Sequence, residues 1–203
     1  MPPDPPPPIL IAFAGPNGAG KSTLRAVLFS DTKIPFVNAD ESSAATGVGA
    51  YEAADLAEEE RQRLFNLGFP FMMETILSDP VGAKVAFLHE AMAKGYQVEV
   101  HFIGLASSSL SMTRVEIRVS EGGHDVPDDK LINRYPRVLE NLARLVGTVD
   151  NLTIYDNSEP DDPFRILAIF EGPHLVALST TLPVWIHFLN LQDLATSTTR
   201  ALP

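Results

Sequence analysis

The chain has 203 residues, a formal net charge of −11 and no cysteine. That length supports one well-buried α/β core rather than two comparable domains. The acidity argues against a broad surface for DNA or RNA, and the missing cysteines exclude disulfides and cysteine-ligated zinc, which suits a reducing cytoplasm.

Residues 1–8, Met1-Pro-Pro-Asp-Pro-Pro-Pro-Pro8, carry neither the basic residues nor the apolar stretch of a signal peptide. Their prolines favour polyproline II, so they are expected to form a disordered tail or, alternatively, a proline-motif ligand. Residues 9–203 are expected to form a single domain. No segment is long and apolar enough to cross a bilayer, so no membrane partner is expected.

Ile9-Leu-Ile-Ala-Phe-Ala14 is an apolar run suited to a buried strand, and it leads into Gly15-Pro-Asn-Gly-Ala-Gly-Lys-Ser-Thr23, a complete G-x-x-x-x-G-K-[ST] phosphate loop. Gly15, Gly18 and Gly20 let the backbone wrap a phosphate and aim N–H groups inward, at the positive end of the helix that begins near Lys21. Pro16, Asn17 and Ala19 complete the cradle. Lys21 would reach the β- and γ-phosphates, the Ser22 hydroxyl would join the coordination of Mg²⁺, and Thr23 offers a second hydroxyl. The pattern predicts a bound nucleoside triphosphate. The plainer alternative is a glycine-rich turn with no ligand.

After a helix over about 21–29, residues 34–40 read as a short strand whose polar end, Asn38 to Asp40, emerges where it finishes. Residues 50–67 read as a helix stopped by Gly68, 69–77 as a buried strand ending in polar chemistry, 80–94 as a helix closed by Gly95, and 97–105 as a fourth strand. Two helical stretches across 107–146, joined by Glu121-Gly-Gly-His-Asp-Val-Pro127, form a candidate lid and substrate region. Ser107 or Ser108 caps the first, and Pro127 to Asp129 opens the second. Residues 151–155 read as a fifth strand, and 164–170 with 174–178 as a small terminal hairpin. Trp185 is expected to pack on the core. The alternation predicts a mostly parallel α/β sheet of five to six strands with helices on both faces and ligands beyond the strands' carboxyl ends, where the phosphate loop, Asp40 and Glu74 all fall.

A phosphate loop alone does not separate kinase from hydrolase. No Asn-Lys-x-Asp element of guanine recognition is present, and His89-Glu90 has Ala93 where a zinc-protease helix needs its second His. Transfer to an alcohol needs a carboxylate near the acceptor hydroxyl and cations on the moving group. Asp40 suits the first role, or else caps a helix or turn. Glu74 interrupts an apolar strand, so it faces the site or pairs with an arginine. Arg114 with Arg118, and Lys130 with Arg134 and Arg137, form cationic stripes that either close on a triphosphate or make surface ion pairs. Pro136 should break or kink the second helix. His124 could touch substrate or make a local hydrogen bond.

Taken in order, residues 14–23, Val37-Asn-Ala-Asp-Glu41, Glu74-Thr-Ile-Leu-Ser78, Phe102-Ile-Gly-Leu105, Arg118-Val-Ser-Glu-Gly-Gly-His-Asp-Val-Pro127 and Tyr155-Asp-Asn-Ser158 resemble the zeta toxin family of P-loop kinases over about residues 9–178. The resemblance implies ATP- and Mg²⁺-dependent phosphorylation of a sugar-nucleotide hydroxyl, in the toxins the 3′-hydroxyl of UDP-N-acetylglucosamine, and an antitoxin as possible protein partner. It implies Asp40 as base, Lys21 on phosphate, and Arg118 with Arg134 or Arg137 on the transferring group. Glu74 would help place the acceptor, beside Asn38, Thr75 and His124. Asn157 falls in the loop that usually borders adenine. Where the family often reads Glu-Thr-Thr, this chain has Ile76, which cannot replace a hydroxyl contact. A kinase for a drug, nucleoside or sugar, or a non-catalytic nucleotide-binding module, are the alternatives.

Overall fold

Apolar runs bounded by glycine turns become the central strands. The computed structural model describes residues 5–38 and 50–203. Within them β1 (Ile9–Ala14), β2 (Phe36–Val37), β3 (Phe71–Thr75), β4 (Gln97–Gly104) and β5 (Asn151–Asp156) lie parallel in the order β2-β3-β1-β4-β5. β6 (Arg165–Glu171) and β7 (His174–Ser179) form the expected hairpin, turning at Gly172 with φ 54°. The hairpin joins the same sheet antiparallel to β5, and β8 (Arg200–Leu202) adds parallel to β7, giving eight strands among the described residues rather than five or six. Three residues are too few to show a period, which is why β8 is invisible in the sequence.

Strand alternation sorts the core into two layers. Leu10, Phe71, Met73, Val100 and Phe102 face α2 (Ala50–Leu67), α3 (Ala83–Ala93) and α5 (Asp128–Leu145), which contribute Leu64, Leu88, Val138 and Leu142. Ile11, Phe13, Met72, Ile103 and Tyr155 face the opposite side, where α1 (Lys21–Leu28) supplies Leu24 and α4 (Ser108–Ser120) supplies Leu110. Full burial of a phenylalanine such as Phe13 or Phe102 contributes roughly 1.5–3 kcal/mol.

Local chemistry sets the helix ends. Gly68 (φ 70°) stops α2, and the Phe69 amide donates back to the Leu64 carbonyl at 3.0 Å. Ser107 caps α4 by accepting from the Leu110 amide at 3.1 Å. α3 begins at Ala83, three residues later than expected, because Asp79 accepts from the amides of Ala83 and Lys84. Pro136 does not break α5, which runs on from Asp128 to Leu145. The proline lies on the exposed face, where water can satisfy the carbonyl one turn back that its missing N–H leaves free. Trp185, in a 3₁₀ turn (Val184–Leu189), packs over Phe102 and donates from Nε1 to Asp156 Oδ1 at 3.2 Å. Among the described residues, no helix is long and apolar enough to cross a membrane.

Candidate active site

The loop after β1 passes over the carboxyl edge of the parallel strands, at the point where the chain crosses from β3 to β4 on the other side of β1. Gly15 has φ 143°, and a Cβ there would lie 2.1 Å from the Ile103 carbonyl oxygen, so only glycine fits. Gly20 (φ 88°) is the N-cap residue of α1, and a Cβ on it would meet the Asn157 amide nitrogen at 2.9 Å. Lys21 is buried and donates to the carbonyls of Gly15 (3.1 Å) and Pro16 (3.0 Å). Asn157 braces the loop from beneath. Its Nδ2 donates to the Ala19 carbonyl at 2.9 Å, while its Oδ1 accepts from the Phe164 amide at 3.3 Å. Both ends of the side-chain amide are thus engaged by backbone, so Asn157 braces the loop.

Glu74 pairs in register with Phe13 and shares the sheet face of Met72, which turns its carboxylate toward α1. It accepts from the Ser22 hydroxyl at 2.7 Å and from Asn38 Nδ2 at 3.3 Å, and its Oε1 lies 3.5 Å from Lys21 Nζ. The strand-interrupting acid therefore faces the loop, and its cation is Lys21 rather than an arginine. Thr75 points the other way, and its Oγ1 accepts from the Leu77 amide at 3.1 Å. Leu77 is left-handed (φ 61°), a costly conformation for leucine, and buried Asn141 holds it by donating to the carbonyls of Leu77 (2.8 Å) and Asp79 (2.9 Å).

A cleft of about 830 Å³ opens between the loop, Glu74 and the helices α4 and α5. Lys21, Arg61, Lys84, Arg114, Arg118 and Arg134 line it, against the acids Glu58 and Glu74 among the described residues. An acidic chain thus gathers cations at one edge, as phosphate binding requires. Arg118 donates from Nη2 to the His124 carbonyl at 2.6 Å, so the Gly-Gly turn is folded onto the arginine, and it is the backbone of His124 that makes this contact. Arg114 reaches the Ser158 carbonyl at 3.5 Å.

Most of the expected residues meet here. Asn17, Gly18, Gly20, Lys21, Ser22, Thr23, Asn38, Glu74, Thr75, His124, Arg118 and Arg134 line the cleft, while Gly15, Pro16 and Ala19 form the back of the loop. Arg137 does not line it. It opens instead, with Ser78, Lys84 and Arg134, onto an adjoining pocket of about 330 Å³ behind Ile76. Asp40 lies outside the described residues.

Sequence reasoning passed over Arg61, Lys84 and Glu58. One signal was available for Arg61. It follows Ala57 by four residues and precedes Leu64 and Phe65 by three and four, so a cation stands on the buried stripe of α2.

This strand order with a phosphate loop between β1 and α1 defines a P-loop α/β protein of the kinase type. Residues 32–161 match the family model described as Zeta toxin, and the chain belongs to that family. The match begins after α1, so the phosphate loop stands on its own motif. An uncharacterized protein of Haemophilus influenzae is 29% identical over 133 residues, 62% of this chain and 91% of that protein. Among solved structures, a chain of the PezAT chromosomal toxin–antitoxin system of Streptococcus pneumoniae superposes with a TM-score of 0.56 at 21% identity, covering 80% of this chain and 72% of that one. A chain of the AvrRxo1-ORF1:-ORF2 complex with ATP gives 0.58 at 17% identity, covering 85% of this chain and 61% of that one. The present chain thus spans about three-fifths of that protein, and at these identities the likeness is one of fold.

Proposed function

We propose that this protein is an ATP-dependent kinase that transfers the γ-phosphoryl group to a hydroxyl of a sugar nucleotide, with UDP-N-acetylglucosamine as the first candidate. The observation that carries the reading is the meeting of Lys21, Ser22 and Glu74 at the edge of β1 and β3, faced by arginines from both lid helices. In this reading the nucleotide's phosphates replace the carbonyls that hold Lys21, and Arg118 and Arg134 take charge on the transferring group.

The Ser22 hydroxyl beside the Glu74 carboxylate is an oxygen pair of the kind that suits Mg²⁺, which takes one or two protein oxygens and keeps its waters. Bound there, the ion would neutralise phosphate charge. Asp40 acts as base. The acceptor hydroxyl gives its proton to the Asp40 carboxylate as its oxygen bonds to the γ-phosphorus, the bond to the β,γ-bridging oxygen breaks, and ADP leaves. Glu74, with Asn38, positions the acceptor. An antitoxin that covers the cleft is part of the same reading.

Ile76 favours a second reading on the same scaffold. It lines the cleft and packs on the core, so one wall near the acceptor is apolar where a hydroxyl contact is common in the family. A different hydroxyl-bearing small molecule is then the acceptor. Incubation of the protein with ATP and Mg²⁺, with and without UDP-N-acetylglucosamine, separates the two by ADP release. Sugar-dependent release supports the first, and release only with other acceptors the second. Tight ATP binding with no turnover of any acceptor would overturn both. Asp40→Asn should retain ATP binding and lower transfer by roughly two to four orders of magnitude.

A further inference from the structure

The α2–α3 wall of the cleft carries a cation that the phosphate loop and lid do not use. The Arg61 side chain is only 9% exposed, lies 5.7 Å from the Phe87 ring centroid, and has no hydrogen-bond partner at Nε among the described residues. Burial lowers its pKa from the ordinary guanidinium value. A buried guanidinium with an idle donor is costly, and it persists where something compensates it.

Its anionic partner, Glu58, is nearly half exposed and shares the same carboxylate oxygen with Lys84 Nζ at 3.3 Å. Lys84 is itself pushed down, first by burial and then by the charge of Arg61, with Asp79 opposing. Asp79 spends its oxygens on the amides that open α3. Two cations therefore share one half-exposed carboxylate, and Arg134 lines the same cleft.

We infer that Arg61 and Lys84 form a second anion site in the cleft, which takes a phosphate group carried by the acceptor and releases Glu58 from its place as counter-ion. The kinase reading supplies the name of the occupant as an acceptor. The site itself stands on the geometry of Arg61. A planar guanidinium fork fixed by burial can hold two phosphate oxygens, and Lys84 adds a point charge at the more open rim. Separating this site from the phosphate loop lets one protein hold a donor triphosphate and an anionic acceptor at once. It also favours the charged over the neutral form of the same acceptor, because the neutral form offers Arg61 nothing to replace Glu58.

The direct test uses the full chain with Lys21→Met, which disables the phosphate loop, and calorimetric titration with inorganic pyrophosphate. One pyrophosphate site should remain, weakened about 10- to 100-fold by adding Arg61→Gln and partly restored by Arg61→Lys. Melting curves check that the buried substitution still folds. Lys84→Gln, nearer the surface, should weaken binding at least about threefold without that risk. Absence of a site in the Lys21→Met protein, or affinity indifferent to both Arg61→Gln and Lys84→Gln, overturns the inference.

Turnover gives a separate reading with the natural loop. For acceptor pairs that differ only by a phosphate or diphosphate group, Arg61→Gln should raise KM for the charged member about tenfold or more and leave KM for ATP within about twofold. Failure of every acceptor would defeat the kinase assignment, and the pyrophosphate titration would still decide the anion site.

Discussion

Asn157→Ala separates two roles that the fold could give this residue. If the side chain bordered a bound base, its loss would weaken ATP by about tenfold, near 1.4 kcal/mol, and leave the free protein's stability alone. In the structure the side chain bonds two backbone groups, the Ala19 carbonyl at 2.9 Å and the Phe164 amide at 3.3 Å, in a setting where Asn157 is 8% exposed. A buried group left without its partner costs about 1–3 kcal/mol, and the longer bond belongs at the low end, so the two together come to about 2–4 kcal/mol. With a urea m-value of about 2 kcal/mol/M, the unfolding midpoint should fall by about 1–2 M. Asn157→Asp keeps the acceptor for Phe164 but sets a carboxylate against the Ala19 carbonyl, so it should be at least as damaging. Urea titrations of the three proteins, with and without ATP, measure both quantities. A loss under about 0.5 kcal/mol in the alanine variant, with ATP affinity reduced, would refute the strut and restore the base-bordering role.

Glu74→Gln keeps the shape that meets Ser22 and Lys21 but removes the charge; stability should change by no more than about 1–2 kcal/mol while acceptor-dependent ADP release falls about 10²- to 10⁴-fold, and wild-type turnover would remove Glu74 from the site. Gly104→Ala would set a Cβ 2.2 Å from the Trp185 ring, so stability should drop by about 1–3 kcal/mol with a shift in tryptophan emission, relieved by pairing it with Trp185→Leu; an unchanged midpoint and spectrum would contradict this packing. Asn141→Ala frees the Leu77 and Asp79 carbonyls from a donor and should cost about 2–4 kcal/mol in urea unfolding, whereas a loss under about 1 kcal/mol would show that the left-handed Leu77 turn holds itself. Burial pushes the phenols of Tyr155 and Tyr135 from 10.0 up to about 12, so the unfolded chain ionises first. Stability is then intact below about pH 10 and declines as pH rises toward about 12; urea midpoints across that range should fall, and less steeply in Tyr155→Phe and Tyr135→Phe.

What the sequence made legible was local. The phosphate loop is contiguous, the bounds of α2 follow from a helix-forming run and Gly68, and the Ser107 cap lies three residues from its donor. Glu74 was legible because an acid inside an apolar run has few tolerable destinations. The struts were not, because their partners lie far along the chain: Asn157 meets Ala19 138 residues away, and Asn141 meets Leu77 64 residues away. The resemblance singled out the Asn157 segment for another role, and nothing within a window around Asn141 marks it. Pro136 shows the opposite failure, since a local rule against proline in helices gave way to an exposed face where the freed carbonyl can be hydrated.

The net charge of −11 and the cationic cleft are compatible because charge and field are different quantities. The six cations come one or two at a time from α1, α2, α3, α4 and α5, and converge only when the parallel sheet brings those helices to one edge. Local spacing hides this, because Glu58 and Arg61 stand at the ordinary i to i+3 spacing of a helical ion pair. The acidic remainder repels anions at long range, but salt screens that repulsion within about 8 Å, whereas the cleft acts at contact and from partly dehydrated groups. On the proposed kinase reading, selectivity for phosphate would therefore belong to the arrangement of the cleft, and overall charge would govern solubility and the approach of partners rather than what the edge of the sheet can hold.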